Sequence, residues 1–525
     1  MTSAISKNRF LSKFFGDKAF YKSVIKVVLP IFIQNLITTF VGLLDNVMIG
    51  SLGTEEMSGV AISNQVVFTF NLLVFGFVSG VGIFLAQYYG KKDYEGMKNA
   101  FRFSLLCGLA VTALSVPLVF FLRGDLTNLF LSASGSVEGD PLKVLAFGKD
   151  YLKIIVISFP AFIFSQVIAN ALSSAKKTSI PMISGIIAVV VNLLLNYILI
   201  FGKLGAPKLG VVGAAIATVV ARYVELIFLI IWVLCNKKKC PYFQGIFKNF
   251  RIPQKEAFAI IKKGTPLMLN EFLWGLGTTM IVWCYSMRGL AAIAAFNIAN
   301  TLGNFFNSGM LAFGNAVGII VGNVLGSGAS EKEVMDVDIK LLTFATLFCT
   351  VLGALLAAVS KFFPLIYNTT DLVRDMATRI LFILAGFMPL SALFNAVYFT
   401  IRAGGKTVVT FLFDSTFNWA IYFPLALCLV KFTTLDVVLV FLIITSLDII
   451  KTGIGFILLK TGKWRVSFVK DLSQIQKESE ETTEYTATTT EETTNEERTE
   501  YTATTTEETT KEERENLGEN NAVQE

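Results

Sequence analysis

The stretch Leu29 to Gly50, LPIFIQNLITTFVGLLDNVMIG, decides the fold. It is long enough to cross a bilayer, whose hydrocarbon core of roughly 30 Å takes about 20 helical residues. It also carries a proline, the amide pair Gln34 and Asn35, and a carboxylate. A helix starting near Lys22 is expected to bend where Pro30 removes a backbone donor and to leave the membrane near Gly50. Asp45 then sits a turn or two from the exit. Charge inside hydrocarbon is costly, so Asp45 is either hydrated or paired with another helix, or it holds a cation or a proton.

The rest of the chain has the same character. Its mean hydropathy is +0.63, 54% of its residues are hydrophobic and 47 are phenylalanine, a composition that excludes an ordinary soluble domain. The apolar runs are long and unbroken, unlike the short alternating strands of a membrane barrel. The fold class is an all-α polytopic membrane protein. Spans are expected near 22–50, 60–89, 101–122, 151–174, 180–202 and 210–235, then near 262–286, 294–325, 339–366, 378–401, 407–431 and 435–459. The eighth is long enough to be tilted, or broken at Gly309, Gly314 and Gly318.

An even number of spans places both termini on one side. Lys and Arg crowd the N-terminus and the loops around Lys91, Lys176, Lys237 and Arg402, so those faces read as cytoplasmic. The basic, polar first twenty residues lack the pattern of a cleaved signal peptide, and the first helix reads as its own insertion signal. The expected setting is a cell (inner or plasma) membrane.

The two halves repeat. An offset of 236 positions takes Pro30 to Pro266, Gly53 to Gly289, Asn64 to Asn300, Gly82 to Gly318 and Gly90 to Gly326; an offset of 229 takes Lys177-Thr178 to Lys406-Thr407. Two six-helix units of the same orientation point to a transporter whose substrate path lies between them. The expected organisation is a cytoplasmic N-terminus (1–21), an N-lobe (22–235), a basic cytoplasmic linker (236–261), a C-lobe (262–460) and a cytoplasmic tail (461–525). In that tail TEYTATTTEETTNEER at Thr483–Arg498 recurs as TEYTATTTEETTKEER at Thr499–Arg514. A Thr/Glu repeat of this kind cannot bury a core and reads as disordered.

The chain contains no histidine, which leaves carboxylates as the proton carriers. Its six cysteines are scattered without a CxxC and read as core residues. No nucleophile elbow, metal spacing or phosphate loop is present, so neither catalysis nor a cofactor is expected, and no nucleic-acid partner. The expected partners are a small-molecule substrate and the lipid bilayer, with the protein monomeric.

Several polar groups fall inside spans. Glu271 stands nine residues beyond Lys262, about 14 Å at 1.5 Å per residue, near mid-membrane. Like Asp45 it has no base within a helical turn, so it either pairs across helices or serves an ion or substrate. Arg222 with Glu225, and Asp448 with Lys451, are three residues apart and read as same-face ion pairs. Asp414 is a weaker candidate near the cytoplasmic interface. Gln34, Asn35, Gln166 and Asn270 are uncharged groups that join helices or contact substrate.

The run from Pro30 to DNVMIGSLG, the second-helix LAQYYGKKD and the GAAIAT at Gly213–Thr218 resemble the multidrug and toxic compound extrusion (MATE) family, over about Lys22 to Lys460. The resemblance implies a V-shaped twelve-helix antiporter that exports organic cations and other amphipathic compounds in exchange for Na⁺ or H⁺. It also implies an N-lobe cation site, which here maps onto Asp45, Asn192, Asn196, Thr218 and the carbonyl of Ala214, with Na⁺ at Asp45, Asn192 and Thr218. Asn196 departs from the pattern, since many relatives carry a carboxylate there. Another branch uses acids on the seventh and tenth helices. Glu271 lies close to the first of these positions, and Ser391 stands at the second. A flippase for lipid-linked sugars is the alternative reading of the same architecture.

Overall fold

The computed structural model describes residues 13–133, 140–248 and 252–465. The first half contains α1 (Lys18–Gly50), α2 (Thr54–Lys91), α3 (Tyr94–Ala133), α4 (Pro141–Ile155), α5 (Ser158–Ser174), α6 (Ser179–Phe201) and α7 (Gly210–Cys235). The second contains α8 (Gln254–Ser286), α9 (Leu290–Gly326), α10 (Glu331–Ser360), α11 (Asp371–Ala403), α12 (Thr407–Thr416), α13 (Phe423–Phe432), α14 (Val437–Ser446) and α15 (Asp448–Lys460). Among the described residues eleven helical runs are long and apolar enough to span a membrane, or twelve when α4 and α5 count as one span bent by 51°.

The helices overrun the apolar stretches because their ends are set by caps. Asp17 accepts from the Phe20 amide at 2.8 Å to start α1. Ser330 and Glu333 close a reciprocal capping box, so α10 begins at Glu331, eight residues before the expected start of the ninth span. Asp140 caps α4 with Pro141 at its first position, so this span begins ten residues before the expected apolar run and then bends before α5.

Of the two alternatives for the eighth span, tilted or broken, the break is not found. α9 is continuous through Gly309, Gly314 and Gly318. Its glycines make room for neighbours, Gly309 facing Leu352 and Phe32, and Gly314 facing Asn395 and Phe399. The breaks fall elsewhere: a π-helical segment, Phe417–Tyr422, joins α12 to α13, and Leu447 separates α14 from α15. α1 and α8 run through Pro30 and Pro266.

The connection between the halves is docked on the first. Arg102 of α3 donates to the carbonyls of Ile246 and Gly245 at 2.9 and 3.1 Å. Lys177 Nζ donates to the Lys239 carbonyl and lies 3.0 Å from Cys240 Sγ, and Phe243 packs edge-on to Phe101. All six cysteines are free. Of the tail expected at 461–525 the first five residues are described, with Trp464 buried and Arg465 paired with Glu331, and the acidic Thr-rich repeat lies outside the described residues.

The halves meet along a seam that obeys the internal repeat. α2 packs on α8 and α9, and α9 packs on α1 and α2. A Cβ at Gly80 would lie 2.7 Å from Gly264 Cα, so backbones touch here. Further along, Gly90 abuts the Asn323 carbonyl and Gly326 abuts the Gln87 carbonyl, too closely for any side chain. Gly90 and Gly326 are repeat mates, and so are Gln87 and Asn323, at the same offset of 236.

The amides of that second pair cross the seam in opposite directions. Gln87 donates to the Ala403 carbonyl at 3.1 Å, and Asn323 donates to the Ser174 carbonyl at 3.0 Å. Ser174 and Ala403 are themselves mates at the second offset of 229. The closed seam is thus a two-fold latch built from duplicated residues.

Candidate functional site

Asp45 of α1 lies in a partly open cavity of about 260 Å³ lined by helices of the first half. Its wall includes Asn46, Asn64, Tyr151, Asn196, Thr218 and Arg222. α6 and α7 pack along their length, with Gly213 against the Leu199 backbone, and this brings Asn192, Asn196 and Thr218 together. Asn196 donates to Asp45 Oδ1 at 2.6 Å. The Asn192 amide, oriented to satisfy its neighbours, donates to Asp45 at 3.1 and 3.3 Å and accepts from Thr218 Oγ1 at 3.3 Å. Thr218 Oγ1 also lies 3.1 Å from the Ala214 carbonyl. The five residues assigned to the N-lobe site therefore form one constellation.

Its donor set fits a hard cation. Asn196 is 1% exposed, yet its Oδ1 has no hydrogen-bond partner. An orphaned buried carbonyl is disfavoured unless something fills the place of its donor. Beside it stand the Asp45 carboxylate, the Thr218 hydroxyl and the Ala214 carbonyl, all oxygen ligands of the type hard cations select. The cavity sits near the lower edge of the roughly 300–1,000 Å³ of sites for drug-sized ligands and has room for an ion with its waters. Arg222 lines the same wall but is held by Glu225 at 2.9 Å, as the three-residue spacing implies.

The second half holds a different arrangement, and the readings of Arg402, Lys451 and Asp414 are corrected by it. Glu271 takes the first of its two alternatives, a pair across helices: Arg402 meets it at 2.8 Å. Arg402, read as a loop residue, is a buried member of the last turn of α11, and it also donates across the seam to the Ser79 hydroxyl. Lys451 does not pair with Asp448. It reaches Asp414 at 2.7 Å, with the Phe394 ring 4.2 Å from its ammonium, while Asp448 accepts from Tyr422 at 2.6 Å. Asp414 is accordingly 6% exposed and sits in the core.

Asn270 ties these pairs together. It donates to Tyr398 and Asp414 at 2.9 and 3.1 Å and accepts from Ser415 at 2.8 Å. The result is a network in which two carboxylates face two bases. Among the other polar candidates, Asn35 donates to the Ser308 carbonyl across the seam at 3.3 Å. Gln34 lies beside Gly185, and Gln166 is half-buried on α5, outside the wall of the Asp45 cavity. Sequence reasoning missed Asn46, Tyr151 and the cavity role of Asn64. The last had a signal, since its repeat mate Asn300 is also an amide.

Breaking one member of a buried pair costs about 3–5 kcal/mol, whereas replacing both is near neutral. Lys451→Met is therefore expected to lower thermal stability in detergent strongly. Asp414→Leu/Lys451→Met should recover most of the loss, and a double variant no better than the single would contradict the pairing.

A bundle of duplicated spanning helices with a polar, carboxylate-bearing cavity defines a polytopic α-helical membrane protein of the transporter type. The chain belongs to the MatE family, whose family model matches residues 30–198 and 266–427, once in each half. It is similar to the probable multidrug resistance protein NorM of Thermotoga maritima, 25% identical over 84% of this chain and 93% of that protein. It is 24% identical to the multidrug resistance protein NorM of Vibrio cholerae, over 77% and 86% of the two chains. The fold matches a crystal structure of MATE in a bent conformation, with a TM-score of 0.74 at 19% identity over 87% and 97% of the two chains. The Vibrio cholerae MATE transporter VcmN matches with a TM-score of 0.73 at 17% identity over 88% and 98%.

Proposed function

We propose that the protein is a cation-coupled antiporter that exports organic cations and related amphipathic compounds. The observation that carries this reading is the Asp45 constellation beside the cavity, with a buried Asn196 oxygen that has no hydrogen-bond partner. Names of the relatives, multidrug resistance proteins, support the substrate class. In this reading the two halves act as two lobes, both termini face the cytoplasm, and the Gly90/Gly326 end of the seam is the cytoplasmic gate. Na⁺ or H⁺ at Asp45 favours one lobe arrangement and substrate favours the other.

Glu271 is assigned to positioning Arg402 at the seam, because its charge is already matched. The lipid-linked sugar reading is not favoured: Arg222, Arg402 and Lys451 each face a carboxylate at 2.9, 2.8 and 2.7 Å, which leaves them unsuited to an anionic headgroup.

Efflux of a fluorescent organic cation from proteoliposomes under an imposed Na⁺ or pH gradient tests the proposal. One gradient is expected to drive dye movement and the collapsed gradient to stop it. Dye movement indifferent to both gradients would overturn coupling.

A further inference from the structure

One buried carboxyl belongs neither to the Asp45 cavity nor to the paired network. Asp338, seven residues into α10, is fully buried. Its Oδ1 accepts from the Thr400 hydroxyl of α11 at 2.6 Å, and its Oδ2 has no partner. Val334, Leu341 and Leu342, at i−4, i+3 and i+4 on the same face, belong to an apolar cluster with Val317 and Val321 of α9 and Val397 of α11.

Among the described residues no base is recorded against this carboxyl. α9 carries no ionisable residue from Leu290 to Gly326. On α10, Asp336 and Lys340 pair with each other at 2.5 Å, and Glu331 pairs with Arg465 at 2.9 Å. On α11, Arg402 is engaged by Glu271. The lysines of α1 nearest this cluster, Lys22 and Lys26, point to the exposed surface.

An ionised carboxylate with one hydroxyl donor in such surroundings is several kcal/mol worse than a neutral acid. We propose that Asp338 is a proton-binding site, loaded while the seam is closed and emptied when the seam opens. α1 supplies part of the apolar cluster around this carboxyl. Val24, Val27 and Val28 of α1, from the first half, complete the apolar cluster over the second half, and Tyr21 of α1 packs on Phe344 of α10. Thr400 lies two and three residues before Arg402 and Ala403, which hold Ser79 and Gln87 across the seam. Parting the halves therefore strips α1 from the cluster and lets water reach the carboxyl. The proton leaves from the carboxylic O–H to that water. Closing takes up one proton, so alkaline pH favours the open seam and, reciprocally, opening releases a proton.

The seam-opening step rests on the antiport reading; the bound proton does not. The test uses the full chain in lipid. Infrared spectroscopy with ¹³C-labelled aspartate is expected to show a protonated carboxyl band that Asp338→Asn removes and that Thr400→Val moves to higher frequency through loss of its hydrogen bond. Spin labels at Lys92 and Ser327 then report the open-to-closed ratio, expected to rise about tenfold per pH unit across the titration of one proton and to be flat in Asp338→Asn. A band that survives in Asp338→Asn, or is unmoved by Thr400→Val, overturns the proton site. A pH response unchanged in Asp338→Asn overturns its link to the seam. Failure of dye export with the infrared band intact would count against the antiport reading alone.

Discussion

Asp45→Asn is expected to abolish gradient-driven export while leaving a folded protein that still binds dye. The asparagine oxygen keeps the place of the carboxylate Oδ1 that Asn196 contacts at 2.6 Å, so packing around the cavity survives. What disappears is the one formal negative charge in the constellation, since Asn192, Asn196 and Thr218 are neutral. Coupling free energies between sites are typically about 1–3 kcal/mol, or roughly 5- to 150-fold, and loss of the only charged ligand should reach the upper end. A fall of about a hundredfold in the gradient-stimulated rate, measured in proteoliposomes against unchanged dye binding, is the expected outcome. Thr218→Val removes a neutral ligand and should cost only about fivefold. An Asp45→Asn variant that retains its gradient response would place coupling elsewhere.

The second large effect belongs to the seam. Gly90→Leu and Gly326→Leu each force a side chain into a backbone carbonyl of the opposite half, Asn323 in one case and Gln87 in the other. Neither neighbour is the tip of a flexible side chain that could swing away, so the halves must separate. Overpacking costs typically about 1–3 kcal/mol, which shifts a two-state equilibrium by roughly 5- to 150-fold toward the open seam. Both variants are expected to lose nearly all transport, and spin labels at Lys92 and Ser327 should report a longer distance than in the native chain. Gly453, with open space around its Cβ position, supplies the control, and Gly453→Ala should transport normally. Native distances in both seam variants would show that closure does not need the glycine contacts.

Features governed by chemistry local to the chain were legible in the sequence. Spanning length and apolar composition identify the helical spans, because a bilayer admits few alternatives. The offsets of 236 and 229 reveal the duplication, and the structure uses both in the paired Gln87 and Asn323 latch. The Arg222–Glu225 pair follows from helical spacing alone and is found at 2.9 Å. Asp45, Asn192, Asn196, Ala214 and Thr218 were picked out together by family resemblance, and their convergence depends on the close packing of α6 and α7.

Only the tertiary structure decided the partners of the other buried charges. Glu271 finds Arg402, 131 positions away, Asp414 finds Lys451 where Asp448 had been expected, and Asp338 finds no base among the described residues. A contact three or four residues along one helix is fixed by the rise and turn of that helix. A contact between helices depends on the depth and rotation at which each one packs, and those are set by side chains throughout the bundle.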